Sequence, residues 1–135
     1  MTLLDELKDV LQWHATKKGM PLDEWFTQQL HERVRNCRLG RPITGWAWVR
    51  LEDGQVRVLD EQWPLERLQR FQRWHKDEEP ERTDPPLAVF RGWGTERLID
   101  GQTRVNLWRK TGNIGPHRVL VVEPLLHIAN PFPAC

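Results

Sequence analysis

Leu3, Leu4, Leu7, Val10 and Leu11 recur at spacings of three and four, with His14 on the same stripe. This predicts a helix over residues 2–18, with Thr2 as its N-cap, Glu6 in the first turns and Gly19 closing it. Met20-Pro21 turns the chain, and Leu22, Trp25, Phe26, Gln29, Leu30 and Val34 mark the apolar side of a second helix over residues 22–37. Residues 1–39 are therefore expected to form a helical hairpin. Its second helix has few adjacent basic residues, which favours packing or a protein partner over a DNA-reading helix-turn-helix.

Beyond Gly40-Arg41-Pro42 the pattern alternates. Trp46–Leu51 and Gln55–Leu59 flank Glu52-Asp53-Gly54, which predicts a β-hairpin with Trp46, Trp48 and Arg50 on one side and Ala47, Val49 and Leu51 on the other. Pro64 opens a helix carrying Leu65, Leu68, Phe71 and Trp74, and this runs into a charged, Pro-broken stretch over residues 76–84, read as a solvated connection or a lid. Leu87–Phe90 and Glu96–Ile99 read as strands joined by Arg91-Gly92-Trp93-Gly94-Thr95, and Arg118–Glu123 as another. Helices and strands interspersed in this way predict an α+β domain over residues 40–128, a mixed sheet with packed helices, followed by an extended Pro-rich tail over residues 129–135.

The chemistry concentrates where a strand ending at Ile99 turns through Asp100-Gly101 into a helix that starts at Thr103 or Arg104 and stops at Gly112. The first N–H groups of such a helix, its dipole and the guanidinium of Arg104 can hold a phosphate. Asp100 can place a metal ion, a water or a hydroxyl beside it. The bland alternatives are a plain Asp-Gly turn and a surface ion pair. The chain has eight tryptophans and no tyrosine, and Trp93, in its Gly-flanked turn, can stack on a base aided by Arg91 and Arg97, or pack in the core.

Asp100-Gly101-Gln102-Thr103-Arg104, with an apolar strand before it and a helix, a turn and the strand Arg118–Glu123 after it, resembles the ParB/sulfiredoxin superfamily, whose pattern is roughly Asp-Gly-His-His-Arg. The resemblance extends upstream to Pro85-Pro86-Leu87-Ala88-Val89-Phe90 and to the helix of Trp63–Lys76, covering about residues 55–123. Two departures narrow it. The sulfiredoxin nucleophilic cysteine is matched by Gln102, so that reaction is not expected. Partition proteins carry an arginine-rich motif where this chain has one arginine, so a complete partition protein is not expected.

What the resemblance implies is a ParB/sulfiredoxin-like fold with nucleotide phosphates held by Gly101, Gln102, Thr103 and Arg104, and Asp100 turned toward a metal. An early acidic residue, Asp60 or Glu61, would lie between the first strand and helix and serve as catalytic partner. The expected ligands are ATP, ADP or CTP with magnesium or another divalent cation, and the expected activity is phosphohydrolysis of the ATPase or nuclease kind. Nucleic acid is a further candidate partner, and small relatives of this type are often carried by plasmids, phages and other mobile elements. The competing reading is a non-catalytic interaction factor of inhibitor or immunity type, which would use the N-terminal hairpin and the tryptophan-rich surface.

Composition changes little. A formal charge of +1 gives no global attraction to nucleic acid or to an anionic membrane. No apolar run reaches transmembrane length and no secretion signal is recognisable, which makes a cytoplasmic protein without membrane contact the expectation. Cys37 and Cys135 read as neither structural nor catalytic, and the five scattered histidines suggest no metal site.

Overall fold

The computed structural model describes residues 1–38, 45–71 and 80–135. Thr2 starts α1 (Leu3–Lys18) through a capping box, its hydroxyl accepting from the Asp5 amide while the Asp5 carboxylate accepts from the Thr2 amide. Gly19, in the left-handed conformation, ends α1, and α2 (Leu22–Arg35) follows. The stripe of Leu7, Val10, Leu11 and Ala15 packs with Trp25, Phe26 and Leu30 in one core cluster.

The predicted β-hairpin after residue 45 does not form. Ala47–Glu52 is a short helix, α3, with Ala47, Trp48 and Leu51 buried on one face and Val49 exposed. Its amphipathic period is helical once Ala47 and Trp48 count as one side. Its N-terminus is held by a distant residue: the buried Thr27 hydroxyl accepts from the amides of Trp46 and Ala47, each at 3.0 Å.

Four strands then form a mixed sheet in the order β1-β4-β2-β3, from β1 (Val56–Trp63), β2 (Leu87–Gly92), β3 (Thr95–Asp100) and β4 (His117–Pro124). β1 pairs antiparallel with β4, β2 antiparallel with β3, and β2 runs parallel to β4. The apolar run Val119–Val122 is buried on both faces because β4 is an interior strand. β1 is longer than its apolar signal: it runs through Asp60 and Glu61 to Trp63, so both acidic residues lie in a strand and not in the connection expected for them.

One sheet face, carrying Ala88, Phe90, Leu120 and Val122, packs on α1, α2 and α3. The other, carrying Leu87, Val89, Val119 and Val121, packs on α4 (Leu65–Leu68) and α5 (Gln102–Thr111) through Leu65, Leu68 and Val105. The helical hairpin thus shares its core with the sheet. The fold is α+β with N-terminal helices, among the described residues. A 3-10 turn, Gln69–Phe71, extends α4. The Gly40-Arg41-Pro42 boundary, the helical continuation through Trp74 and the first part of the charged stretch lie outside the described residues. The 129–135 segment, expected to run extended along the surface, has no regular structure and is not confined to the surface: Phe132 is 4% exposed.

Candidate functional site

β3 meets β2 in a hairpin whose turn residues Trp93 and Gly94 both have positive φ, the geometry of a tight two-residue connection. At the other end of β3 the pairing shifts: Leu98 lies opposite Val89 and Asp100 opposite Ala88, leaving Ile99 as the extra residue of a β-bulge. Asp100 thereby shares the face of Ala88 and turns toward α1. Gly101 follows at φ 117, and a Cβ there would collide with Leu87 Cδ2, so the strand-to-helix turn requires glycine.

Asp100 is 6% exposed, and its carboxylate gathers partners from three other parts of the chain. Oδ1 accepts from His14 Nε2 of α1 at 2.5 Å. Oδ2 accepts from Arg104 Nη2 of α5 at 2.9 Å and from Arg82 Nη2 at 3.3 Å. With its Nε2–H given to Asp100, His14 meets Arg82 at 3.4 Å as a close contact and not as an acceptor. Aromatic rings fix both: His14 stacks on Trp25 with centroids 5.3 Å apart, and the Arg82 guanidinium lies 4.3 Å from the Trp13 ring centroid. Lys17 lies over the same ring and pairs with Glu81 at 2.8 Å.

These groups line a pocket of about 250 Å³ at the head of α5, formed by Trp13, His14, Arg82, Asp100 and residues 101–104 with 80 and 81 beside them. The first turn of α5 borders the pocket, which places the positive end of the helix dipole beside it. Among the described residues, Arg82 and Arg104 set two positive charges against the one carboxylate of Asp100, while Lys17 and Glu81 cancel.

Arg104, named by the motif as a phosphate ligand, lines the pocket and is engaged within the protein. It is 3% exposed, and Nη1 donates to the carbonyl oxygens of Pro85 and Pro86 while Nη2 donates to Asp100. Burial pulls its guanidinium below the usual arginine range, and Asp100 works in the opposite direction. Its role is to tie α5 to the segment before β2.

Asp60 and Glu61 do not join Asp100. Asp60, Leu120, Ala88 and Asp100 occupy one row across the sheet, so three strand spacings, about 14 Å, separate the two aspartates. Asp60 is held by Arg118, which also binds Glu6 of α1. Glu61 points to the opposite face, where Arg91 binds it at 2.8 Å and holds its carboxyl below the usual range. Trp93 is likewise remote, since the length of β3, about 17 Å, lies between it and Asp100. It packs against Trp46, Phe90 and Phe132, donates Nε1–H to the Ile128 carbonyl, and lines a separate cleft of about 900 Å³ with Arg57, Arg91, Leu125 and Leu126.

Trp13, His14 and Arg82 escaped the sequence reading. His14 carried a signal, a polar residue at the end of the buried Leu7–Leu11 stripe, whereas Arg82 lies in an irregular segment without one. The cysteines also need correction: Cys37 and Cys135 form a disulfide joining the end of α2 to the 129–135 segment. No helix among the described residues is long and apolar enough to cross a membrane.

No family model, curated protein or solved structure matches this chain.

Proposed function

We propose that the pocket at the head of α5 binds the phosphate of a nucleotide such as ATP, ADP or CTP, in the manner of a ParB/sulfiredoxin-like protein. The observation that carries this reading is the convergence of the Arg82 and Arg104 guanidinium groups on the one carboxylate of Asp100 where the first turn of α5 borders the pocket, so that the described side chains there carry excess positive charge. Arg82 and the start of α5 at Gln102 contact the anion. Asp100, Arg104 and His14 form the frame that holds them, and the bulge at Ile99 aims that frame.

The reading stops at binding. Asp60 and Glu61, the carboxylates that the resemblance named as catalytic partners of Asp100, do not stand beside it, and the proposal includes no hydrolysis. Magnesium does not fit Asp100 either, because it prefers an octahedron of oxygen atoms and both carboxylate oxygens already face His14, Arg82 and Arg104.

The test is calorimetric titration of the chain with ATP, ADP and CTP, with and without magnesium, repeated on Arg82→Ala. Binding that does not require magnesium and weakens roughly ten-fold or more in Arg82→Ala is expected, since a charge-assisted bond contributes about 1.5–3 kcal/mol. Equal affinity of the two proteins at low salt would remove the phosphate from this pocket.

A further inference from the structure

Around the C-terminal end of α2, the chain brings together His31, Cys37 and Cys135, whose ligand-type atoms all lie within 4.8 Å of one another. Cys37 and Cys135 are joined as a disulfide, and Cys37 Sγ is 4.0 Å from His31 Nε2. His31 is fully buried, and its Nε2–H donates to the Pro133 carbonyl at 3.1 Å. Its Nδ1 is buried without a hydrogen-bond partner, so hydrogen bonding satisfies only half of this ring.

The disulfide is not the only tie that brings these groups together. The buried Phe132 ring packs 5.6 Å from His31, 5.7 Å from Trp46 and 6.1 Å from Trp93, centroid to centroid. Arg35 Nε and Nη2 donate to the Phe132 carbonyl at 3.1 and 2.7 Å. These contacts seat the segment on α2 independently of the sulfur–sulfur bond. With that bond open, two thiols and an imidazole still face one point.

Two thiolates and one imidazole are a zinc donor set, with Zn–S near 2.3 Å and Zn–N near 2.0–2.1 Å. A tetrahedral ion with those bonds places sulfur and nitrogen roughly 3.5 Å apart, within about half an ångström of the present Cys37–His31 separation. The sulfurs must separate to roughly 3.7 Å, a side-chain movement, which leaves a fourth position for water.

We propose that His31, Cys37 and Cys135 form a zinc site that the disulfide closes and thiol reduction opens. A dithiol gives two electrons and two protons to the Cys37–Cys135 bond and becomes a disulfide itself, leaving two protein thiols. Zn²⁺ then displaces both thiol protons to solvent and binds the two thiolates. His31 changes tautomer: Nε2 gives up its proton, and its bond to Pro133, to coordinate the ion, while the unpartnered Nδ1 gains a proton without breaking any bond. The redox poise around the protein sets which state holds.

Titration with Co²⁺ tests this on the full chain reduced with dithiothreitol, desalted and kept free of oxygen, beside the oxidised chain. One Co²⁺ per reduced chain with thiolate charge-transfer absorption, displaced by one equivalent of Zn²⁺, is expected, and none with the oxidised chain. Cys135→Ser, at an exposed position, and His31→Ala should each weaken binding by at least the ~10–100-fold that loss of an outer-shell partner costs. Should His31→Ala fail to fold, Cys135→Ser decides alone. No charge-transfer band in the reduced chain, an equal band in the oxidised chain, or unchanged affinity in Cys135→Ser would each overturn the site.

Discussion

Arg104 and Asp100 face each other one helical turn apart, Nη2 to Oδ2 at 2.9 Å, with both residues more than nine-tenths buried. The pair spans the junction of β3 and α5, and each partner reaches further: Arg104 to the carbonyls of Pro85 and Pro86, Asp100 to His14 and Arg82. The two charged residues of the motif therefore hold four parts of the chain together before any ligand is considered. A surface ion pair would do little of this, because solvent would screen it.

Arg104→Ala should accordingly cost fold stability and not only affinity. Without Arg104, Asp100 keeps only His14 and Arg82, and the Pro85 and Pro86 carbonyls lose the Arg104 donor, which destabilises by about 1–3 kcal/mol. Urea denaturation checks this through the midpoint at constant slope. A loss below about 0.5 kcal/mol, typical of surface substitutions, would mean that Arg104 is solvent-facing.

Gly101→Ala separates what the backbone requires from what a ligand requires. At φ 117 an added Cβ meets Leu87 Cδ2, so strain and overpacking act together. A left-handed residue costs about 1–2 kcal/mol and overpacking about 1–3 kcal/mol more. A stability loss of about 2–5 kcal/mol is expected with or without nucleotide, measured by the same denaturation.

Strongly periodic segments were legible in the sequence. Thr2, the Leu7–Leu11 stripe and Gly19 specify α1 locally, and the apolar runs Leu87–Phe90 and Val119–Val122 are interior strands by composition alone. What failed depended on tertiary partners. α3 is short and starts on the hydroxyl of Thr27, twenty residues upstream of Ala47, so nothing local distinguishes it from a strand. Asp60 and Glu61 read as loop because charge interrupts the apolar run, yet Arg118 and Arg91 pair them across the sheet and let β1 continue. At the site, the junction was legible as strand, turn and helix. The bulge that aims Asp100, and the arrival of His14 and Arg82 beside it, exist only in three dimensions. The disulfide was hidden for the same reason, its cysteines being 98 residues apart.

The Arg91 network predicts acid sensitivity. Hydrogen bonds from Arg91 hold Glu61 below the usual carboxyl range, those from Arg57 and Arg91 do so for Glu123, and Arg118 does so for Glu6. Folded values lower than unfolded ones mean a contribution that is complete above the unfolded value, about 4.3, and is lost as pH falls through the folded values. Stability should therefore decline steadily below about pH 4.3. Arg91→Ala should lose about 1–2 kcal/mol at neutral pH and show a shallower decline in acid, measured by denaturation from pH 7 to pH 2.5. An acid limb unchanged by Arg91→Ala would place the sensitivity elsewhere.

Asp100→Asn distinguishes an anion pocket from a metal pocket by the sign of its effect. Asparagine keeps the side-chain shape and one acceptor oxygen for Arg104, so the frame survives with reduced stability, and binding is measured well below the melting temperature. Removing the Asp100 carboxylate, which pairs with both Arg82 and Arg104, raises the positive charge of the pocket by one unit. A phosphate about 6 Å away, at an effective dielectric constant between those of a protein surface and bulk water, gains about 1 kcal/mol, roughly five-fold in affinity. Nucleotide binding in Asp100→Asn should therefore tighten, and the gain should shrink as salt rises from about 0.05 to about 0.5 M because screening shortens the reach of the charge. If Asp100 instead held a divalent cation that bridged to the phosphate, the same substitution would weaken binding, and the loss would appear only with magnesium present. Calorimetry at two salt concentrations, with and without magnesium, distinguishes the two. Tightening assigns Asp100 to the frame of an anion site, and weakening confined to magnesium assigns it to a metal.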